Sequence, residues 1–322
     1  MTALLPFRAT IYSDPVTYIP GEETVPAACP ARHSQLAAPA LYIYKISFGG
    51  TVREGVTGLL DRTAAPAIFL HEETLPDRVA ACAEALRNPD FDPGTLWLWC
   101  HDESRALAPL LQTHAPPDLE LTDQFGANHQ MWRISEPILI EQIQTALAGK
   151  ELFLADGHHR FAAGWNLATI QIRTAALRSL PSHRLVQDAP VNLPMSGPIQ
   201  DLDAYRAATP AGYIRYGLFL PGEPMHGFEI PLDQRHHLLR GLRVQPARSI
   251  DAARAAVHNG AAKFAVLVEA IPADEIEAAA RRGHLLPPQS TDFFPKLAAG
   301  LVHYRHQNET VSPPVPHRRG VL

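Results

Sequence analysis

The chain has 322 residues, of which 46% are apolar, and its 28 Lys and Arg residues are outnumbered by 33 Asp and Glu residues. This length and apolar content predict a globular protein with one large or two ordinary domains. The formal net charge of −5 argues against nucleic-acid binding through a broad basic face, and no stretch approaches the roughly 18 apolar residues of a membrane span.

The compartment is predicted from the N-terminal residues and the cysteines. The sequence MTALLPFRATIYSD lacks the basic start and apolar run of a secretory signal, so we expect a cytoplasmic protein. Cys29, Cys82 and Cys100 lie far apart and form no CxxC pair, which indicates reduced and mostly buried thiols.

Short strands predominate in the first half of the chain. Alternating apolar residues and short apolar runs predict them, and Gly and Asn mark turns between them. The predicted strands are LYIYKIS, TVREGVTGLLD, APAIFLHEET, LWLWC, DLELTDQ and HQMWRIS. Residues 13–40 contain several prolines and are interpreted as an extended, irregular arm.

Three helices are predicted in the same half. Thr74 is interpreted as the N-cap of the first, with Pro76 and Asp77 in the first turn. The second is SRALAPLLQTH. The third is EPILIEQIQTALAGK, whose apolar residues recur near helical spacing and are followed by a glycine.

The second half begins with ELFLAD, a predicted strand that turns at Asp156 and Gly157 into a helix continuing through FAAGWNLA. The later predicted elements are the strands YIRYGLFL, GFEIPL and AKFAVLVEAI and the helices ARSIDAARAAVHNG and ADEIEAAARRG. This irregular interleaving favours an α+β fold of mixed sheets with flanking helices. We expect an N-terminal lobe over 1–188, a C-terminal α/β lobe over 189–308 that ends in STDFFPKLAAGLV, and a flexible tail over 309–322.

The segment DGHHR places potential cations where a helix is expected to start. His158, His159 and Arg160 fall in the predicted first turn, although a helix N-terminus already carries partial positive charge. Free backbone N–H groups after Gly157 make this position a candidate anion site, and Arg160 can donate two hydrogen bonds to a phosphate. Asp156 can cap the helix, orient a histidine or hold Mg²⁺. The plainer reading is a capped helix with solvated histidines.

A second polar cluster lies in FLHEETLPDR. His71 and Glu72 follow an apolar strand, and Glu72 is a candidate general base or metal-coordinating carboxylate. Thr74 and Arg78 are candidate phosphate contacts in the same segment. The pattern is not HExxH, so a zinc protease site is not indicated, and an exposed strand end before a capped helix explains it equally well.

Further candidates come later in the chain, where SLPSHRLV contains His183 and Arg184 and a proline-bounded loop contains Ser290, Thr291 and Lys296. Walker A, GxGxxG and GxSxG sequences are absent, so P-loop, Rossmann and common serine-hydrolase readings lack their key residues.

Seven segments across most of the chain resemble the bacterial and archaeal family that carries domain of unknown function 1015, which belongs with the ParB/sulfiredoxin-like DGHHR proteins. They are PFRA, LYIYKISFGGTVREGVTGLLD, FLHEETLPDR, HQMWRISEP, FLADGHHRFAA, PSHRLV and LPPQSTDFFPKLAAGLV. The chain is identified as a member because several motifs in order are much harder to obtain by chance than any one of them.

The resemblance implies a ParB/sulfiredoxin-like core followed by a C-terminal α/β lobe, and a site that handles phosphate. The DGHHR segment is similar to that of free-serine kinases, which phosphorylate a hydroxyl with a nucleotide; ParB-like relatives bind CTP, and sulfiredoxin uses ATP. The chain departs from the family at residues 26–31, which read PAACPA where the family has PPYD, and at Gln289, where lysine is usual. The segment between Trp165 and Pro181 is also shortened.

The leading hypothesis is a nucleotide-dependent phosphotransferase that acts on a small hydroxylated metabolite, uses ATP, ADP or CTP with Mg²⁺, and is a candidate homodimer. Arg160, the amides after Gly157 and Lys296 would bind phosphate, and His158 or His159 would stabilise the moving phosphoryl group. Glu72 would take the hydroxyl proton, and Asp156 would position Mg²⁺ or a histidine.

Two alternatives stay open. One is a nucleotide-binding regulatory protein or inactive pseudo-enzyme, favoured by the missing PPYD acid. The other is a metal-dependent hydrolase that uses His71, His158, His159 and His183, although these histidines lack conventional ligand spacing.

Overall fold

The computed structural model describes residues 4–12, 33–35, 38–62, 67–88, 91–188, 193–239 and 241–304. The chain forms two compact units, one made of Met1–Leu177 with Pro295–Leu322 and the other of Arg178–Phe294. The predicted arm falls mostly outside the described residues, and the predicted tail and Cys29 fall wholly outside them. The division into lobes at residues 188 and 308 stays a prediction.

The first unit contains eleven strands and three α-helices among the residues described. Its strands are β1 (Leu4–Leu5), β2 (Thr10–Tyr12), β3 (His33–Gln35), β4 (Leu41–Phe48), β5 (Thr51–Leu60), β6 (Ile68–Phe69), β7 (Leu96–Cys100), β8 (Leu119–Thr122), β9 (Asn128–Ile134), β10 (Leu152–Asp156) and β11 (Leu167–Ile172). Its helices are α1 (Pro76–Ala85), α2 (Pro137–Leu147) and α3 (His158–Ala162), with a 3₁₀ turn at Ala108–Leu111.

A large mixed sheet organises this unit. Its strand order is β6-β10-β7-β11-β5-β4-β9-β8, and β1 pairs with the C-terminal end of β5. The β10–β6 and β11–β7 pairs are parallel, whereas the other pairs in the sheet are antiparallel. The central strand β7, LWLWC, is buried along its whole length, which explains its continuous apolar sequence.

The second unit contains eight described strands and three α-helices. They are β12 (Arg178–Leu180), β13 (His183–Val186), β14 (Met195–Pro198), α4 (Leu202–Ala207), β15 (Tyr213–Phe219), β16 (His226–Pro231), β17 (Val244–Ala247), α5 (Ile250–His258), β18 (Phe264–Leu267), α6 (Ala273–Arg281) and β19 (Asp292–Phe294). Six of the strands form an antiparallel sheet in the order β14-β16-β15-β18-β13-β17, and β12 pairs with β19. A 3₁₀ turn follows β16 at Leu232–His237.

The chain is therefore a mixed α/β protein with one large mixed sheet, additional antiparallel sheets and six described helices. This confirms the predicted class at a coarse level. Within the described ranges no helix is long and apolar enough to cross a membrane. Cys100 is buried, Cys82 is half-buried, and both are free thiols.

Four local predictions were wrong in whole or in part. Thr74 does not cap α1, because the N-cap residue is Leu75, whose side chain makes no capping hydrogen bond. SRALAPLLQTH forms only the 3₁₀ turn, because the Asp102 carboxylate accepts the Leu107 and Ala108 N–H groups and fixes a local turn before Pro109.

The third error concerns the helix after DGHHR, which ends at Ala162 instead of continuing through FAAGWNLA. Gly164 adopts a positive φ of 98°, and Leu167 already begins β11. The strand predicted for APAIFLHEET is likewise reduced to Ile68–Phe69.

Candidate functional site

The chain reversal at the end of β10 positions the DGHHR side chains. A register shift between Leu154 and Asp156 turns the strand end, and Gly157 follows with a left-handed φ of 99°. A Cβ atom at Gly157 would lie 2.9 Å from Leu96 Cδ2 and 3.1 Å from Arg160 Nη2. Only glycine meets both the conformation and the space at this position.

Asp156 is held between two cations from different parts of the chain. Its Oδ2 accepts a 3.1 Å hydrogen bond from Arg160 Nη2, and its Oδ1 lies 3.5 Å from Lys296 Nζ. Burial opposes its ionisation, but Lys296, Arg160 and the neighbouring His158 outweigh that effect and lower the Asp156 pKa to about 2. The carboxylate is therefore ionised at neutral pH.

Arg160 mainly fixes the geometry of this reversal. Its Nη1 donates to the carbonyls of Pro93 and Thr95 at 2.5 and 3.1 Å, in addition to the bond from Nη2 to Asp156. Only 11% of the side chain is exposed. The guanidinium thus ties α3 to the loop before β7, which differs from the predicted two-pronged grip on a phosphate.

Two buried imidazoles lie next to each other beside Asp156. The rings of His71 and His158 are perpendicular, with centroids 4.5 Å apart. Burial is the main cause that lowers the pKa of each to about 3, so both are neutral at pH 7. His158 Nε2 is buried and has no hydrogen-bond partner.

Glu72 and His159 complete the group at the start of α1. Glu72 is buried, and its Oε1 lies 3.7 Å from His71 Nε2. The Leu75 N–H donates to His159 Nε2 at 3.1 Å, so His159 accepts this bond as a neutral imidazole. Burial lowers the His159 pKa, and the nearby Arg78, which is exposed, lowers it further.

The DGHHR segment does not concentrate positive charge at the start of α3. Both α3 histidines are neutral and Arg160 is paired with Asp156, while α3 itself has only five residues and hence few aligned peptide dipoles. The helix dipole alone therefore gives no reason for an anion here. The imidazoles do not point into open solvent, however, and His158 shares its surroundings with the His71 and Glu72 cluster.

The segment that carries Lys296 lies across the large sheet of the first unit. The Pro295 carbonyl accepts a hydrogen bond from Arg53 Nη2, and the Ala298 N–H donates to the Tyr44 hydroxyl at 3.1 Å. The Gly300 N–H donates to Asp92 Oδ2 at 3.2 Å. These bonds hold the segment so that Lys296 lies beside Asp156.

Sequence reasoning missed Arg53. It is only 3% exposed, and its guanidinium carbon lies 4.4 Å from the centre of the Trp97 ring. Trp97 pairs with Asp156 across β7 and β10. The Trp97 side chain therefore lies between Arg53 and the DGHHR cluster. The sequence contained one sign that Arg53 is buried. Arg53, Gly55 and Thr57 alternate along one face of β5, a strand whose other residues are mostly buried.

The remaining predicted residues lie in the second unit. His183 is buried, accepts a 3.3 Å hydrogen bond from the Val268 N–H, and has its pKa lowered by burial to about 4. Arg184 Nη1 donates to the Gln289 carbonyl, and Ser290 Oγ donates to the Pro287 carbonyl at 2.6 Å.

These contacts stabilise the loop between α6 and β19. Thr291 is half-buried at its end. They show a structural role for the basic loop PSHRLV, and the predicted phosphate-binding roles of His183, Arg184, Ser290 and Thr291 remain a proposal.

A metal site is poorly matched by the residues present. Among the described residues, no group of three or more His, Cys, Asp or Glu side chains is arranged to hold a metal ion. Both Asp156 oxygens face cations, so Mg²⁺ would have to displace Lys296 or Arg160. The site as folded does not fit the Mg²⁺ expected at Asp156.

The sequence profile of a family described as a protein of unknown function (DUF1015) matches residues 34–240. The chain belongs to the DUF1015 family. A search of curated proteins finds no match. The family match covers β4 to β16 and therefore includes the DGHHR and HEET segments, whereas Lys296 lies beyond the matched range.

Several solved structures are similar to this DUF1015 chain. A conserved hypothetical protein from Pyrococcus furiosus has 13% identity and a TM-score of 0.42, covering 73% of this chain and 92% of its own. A free serine kinase in complex with AMP has 13% identity and a TM-score of 0.41, with coverages of 70% and 83%. SbnI with C-terminal truncation, from Staphylococcus aureus, has 11% identity and a TM-score of 0.39, with coverages of 71% and 81%.

Proposed function

We propose that this DUF1015 protein is a nucleotide-dependent phosphotransferase that acts on the hydroxyl of a small metabolite. The observation that carries the proposal is the convergence of Lys296, Asp156 and His158 at the end of β10. A lysine 140 positions away in the sequence is held beside an ionised carboxylate and a neutral histidine with a free buried nitrogen.

The cluster offers the positioned charge that phosphoryl transfer requires, because this chemistry depends chiefly on alignment and charge stabilisation. Lys296 supplies a cation, and the unpartnered His158 Nε2 can donate to a phosphoryl oxygen in one tautomer. Glu72, buried beside His71, is the proposed general base for the acceptor hydroxyl.

The role of one residue is revised by the geometry. Arg160 acts as a positioning residue, because its donors already bond to Pro93, Thr95 and Asp156. The backbone amides after Gly157 remain the proposed phosphate donors, since the first N–H groups of a helix have no intrahelical partner. No step is assigned to Mg²⁺.

The nucleotide is proposed from the resemblance of the DGHHR segment to that of free-serine kinases and ParB-like proteins. ATP, ADP and CTP are the candidates. The same resemblance suggests a ParB/sulfiredoxin-like core within the first unit. A homodimer and additional substrate contacts from His159, Thr74 and Arg78 are further parts of the proposal.

Phosphorus NMR tests this function directly. The protein is incubated with ATP, ADP or CTP and a panel of hydroxylated amino acids and sugars, with and without Mg²⁺. We expect a new phosphomonoester resonance with one acceptor class. If no new phosphomonoester forms with any of the three nucleotides, whether or not the nucleotide binds, the proposed phosphotransferase activity is rejected.

Substitution of Lys296, with substitution of Lys150 as the matched control, tests the role of the cation. We expect Lys296→Met to lower turnover by about 10²-fold or more, because a positioned charge at developing phosphoryl charge is lost. Lys150→Met is the control, since Lys150 also pairs with a carboxylate, Asp102, at 2.9 Å but lies outside the cluster. Equal rates in both variants would contradict the role of Lys296.

A binding-only protein is the alternative, favoured by one observation. The arginine of DGHHR, which was expected to grip phosphate, is engaged by backbone carbonyls. Nucleotide binding by calorimetry without turnover in the NMR assay would support a regulatory protein or pseudo-enzyme instead.

A further inference from the structure

A buried arginine lies on the large sheet without a carboxylate partner. Arg53 on β5 is 3% exposed; its Nη2 donates to the Pro295 carbonyl, and its Nη1 is buried without a hydrogen-bond partner. None of the acidic side chains described by the structure forms an ion pair with it. Burial lowers its pKa to about 10, so the guanidinium is still charged at neutral pH. A buried charge without a counter-charge is costly, and proteins normally pair it.

A second unsatisfied side chain lies next to it. Gln171 on β11 is 2% exposed, and neither its Nε2 nor its Oε1 has a hydrogen-bond partner. Gln171 pairs directly with Gly55 of β5, and Arg53 is two residues from Gly55 on the same face. Diagonal neighbours of this kind are close enough for long side chains to reach a common point.

Neither Arg53 Nη1 nor the Gln171 amide has a hydrogen-bond partner among the described residues. A guanidinium nitrogen and an amide nitrogen both need an acceptor, and the guanidinium also needs negative charge, which water cannot supply. The free Gln171 Oε1 needs a donor. One ligand satisfies all three if it carries an oxyanion with an O–H or N–H group beside it.

We propose that Arg53 and Gln171 form a binding site for a small oxyanion that carries an adjacent hydrogen-bond donor. Arg53 Nη1 and Gln171 Nε2 donate to the oxyanion, and Gln171 Oε1 accepts from the donor. A hydroxycarboxylate and a hydrogen phosphate share this chemistry. Because Arg53 stacks on Trp97, which pairs with Asp156, the bound molecule lies next to the DGHHR cluster. The binding site itself is formed by Arg53 and Gln171, and the proposal holds whether or not the protein transfers phosphate.

Calorimetry and thermal unfolding with three probes test this site. Glycolate, acetate and inorganic phosphate are titrated into the full-length protein at constant ionic strength, with chloride as the reference anion. We expect saturable binding and a raised Tm with glycolate or phosphate, and at least tenfold weaker binding of acetate, which lacks the donor. Whichever of glycolate and phosphate binds with the higher affinity identifies the class of oxyanion.

Variants separate the contributions. Arg53→Gln should weaken glycolate and phosphate at least tenfold, and Arg53→Lys, which keeps the charge, should bind with intermediate affinity. Gln171→Leu should keep or raise the Tm in chloride, because it removes two unsatisfied polar atoms, and should lose the preference for glycolate over acetate. Arg215→Gln is the control, since Arg215 also stacks on an aromatic ring, Tyr205, but is paired with Glu229 at 2.9 Å.

Two outcomes overturn the site. One is no saturable binding of any probe by the unaltered protein, which would mean that water satisfies these groups. The other is unchanged affinity in Gln171→Leu together with unchanged affinity in whichever Arg53 variant folds.

Discussion

At the end of β10, burial fixes the protonation state of the two histidines, and neighbouring charges fix that of Asp156. His71 and His158 are neutral because they are buried, and Asp156 is ionised because Lys296 and Arg160 outweigh its burial. Histidine and carboxylate therefore depart from their usual titration ranges for different physical reasons.

The histidine pair predicts an acid sensitivity of the fold. A histidine whose folded pKa is lowered to about 3 stays neutral while the unfolded chain takes up a proton near pH 6.5. Stability is therefore fully present above pH 6.5 and is lost as the pH falls from 6.5 towards 3, with a slope of at most about 1.4 kcal/mol per pH unit for each imidazole.

Urea unfolding between pH 7 and pH 4 measures this effect. His158→Gln should reduce the slope by about one proton, whereas the exposed His114→Gln should keep the slope of the unaltered protein. An unchanged slope in His158→Gln would show that His158 is not a buried neutral imidazole.

The proposed role of Glu72 as a general base predicts that its substitution changes kcat but not nucleotide affinity. Glu72→Gln keeps the shape of the side chain but removes the base, so we expect unchanged nucleotide affinity and a loss in kcat of about 10²-fold or more. The neighbouring half-buried Glu73→Gln serves as the control. A kcat for Glu72→Gln equal to that of Glu73→Gln would remove Glu72 from the mechanism.

Among the elements, the turn from β10 into α3 sets the geometry of the site. Gly157→Ala should destabilise the protein by about 1–3 kcal/mol, because alanine must adopt a φ of 99° and its methyl group meets Leu96 and Arg160. Gly149→Ala is a matched control, since Gly149 has a φ of 76° but open space around it. Urea unfolding of both variants separates backbone strain from the steric clash, and equal losses would show that the clash contributes nothing.

Elements with strong periodicity were predictable, and those fixed by tertiary contacts were not. LYIYKIS, LWLWC and EPILIEQIQTALAGK formed the expected strands and helix, because each buries an apolar face or run. The extended helix after DGHHR failed, since Gly164 ends it and the apolar residues beyond join β11. The contacts of Arg160 with Pro93 and Thr95 and of Arg53 with Trp97 depend on strand order, which no local pattern encodes.

On the scale of the whole molecule, the first unit is built from two separated parts of the sequence. Tyr44 joins them: its hydroxyl accepts from the Ala298 N–H at 3.1 Å, and it donates to His129 Nδ1 at 2.6 Å because the proton of this imidazole lies on Nε2. His129 Nε2 in turn donates to Asp123 Oδ2 at 3.2 Å. The family and the coarse fold class were predictable from ordered motifs, but this link between distant segments was not.

Tyr44→Phe should therefore lower the free energy of unfolding by about 1–3 kcal/mol, because it leaves Ala298 N and His129 Nδ1 buried without partners. Chemical denaturation monitored by tryptophan fluorescence measures the loss. Tyr213→Phe is the control, because Tyr213 is 44% exposed. A loss no greater than that of the control would show that this hydrogen-bond chain adds no stability.

Because the first unit is discontinuous in sequence, its two parts are synthesised at different times. Residues up to 177 emerge first, then the whole of the second unit, and only afterwards the segment from Pro295 that bonds to Arg53, Tyr44 and Asp156. A nascent chain halted just before Pro295 would lack the partners that this segment gives to Arg53, Tyr44 and Asp156, so the site is complete only after the last part of translation.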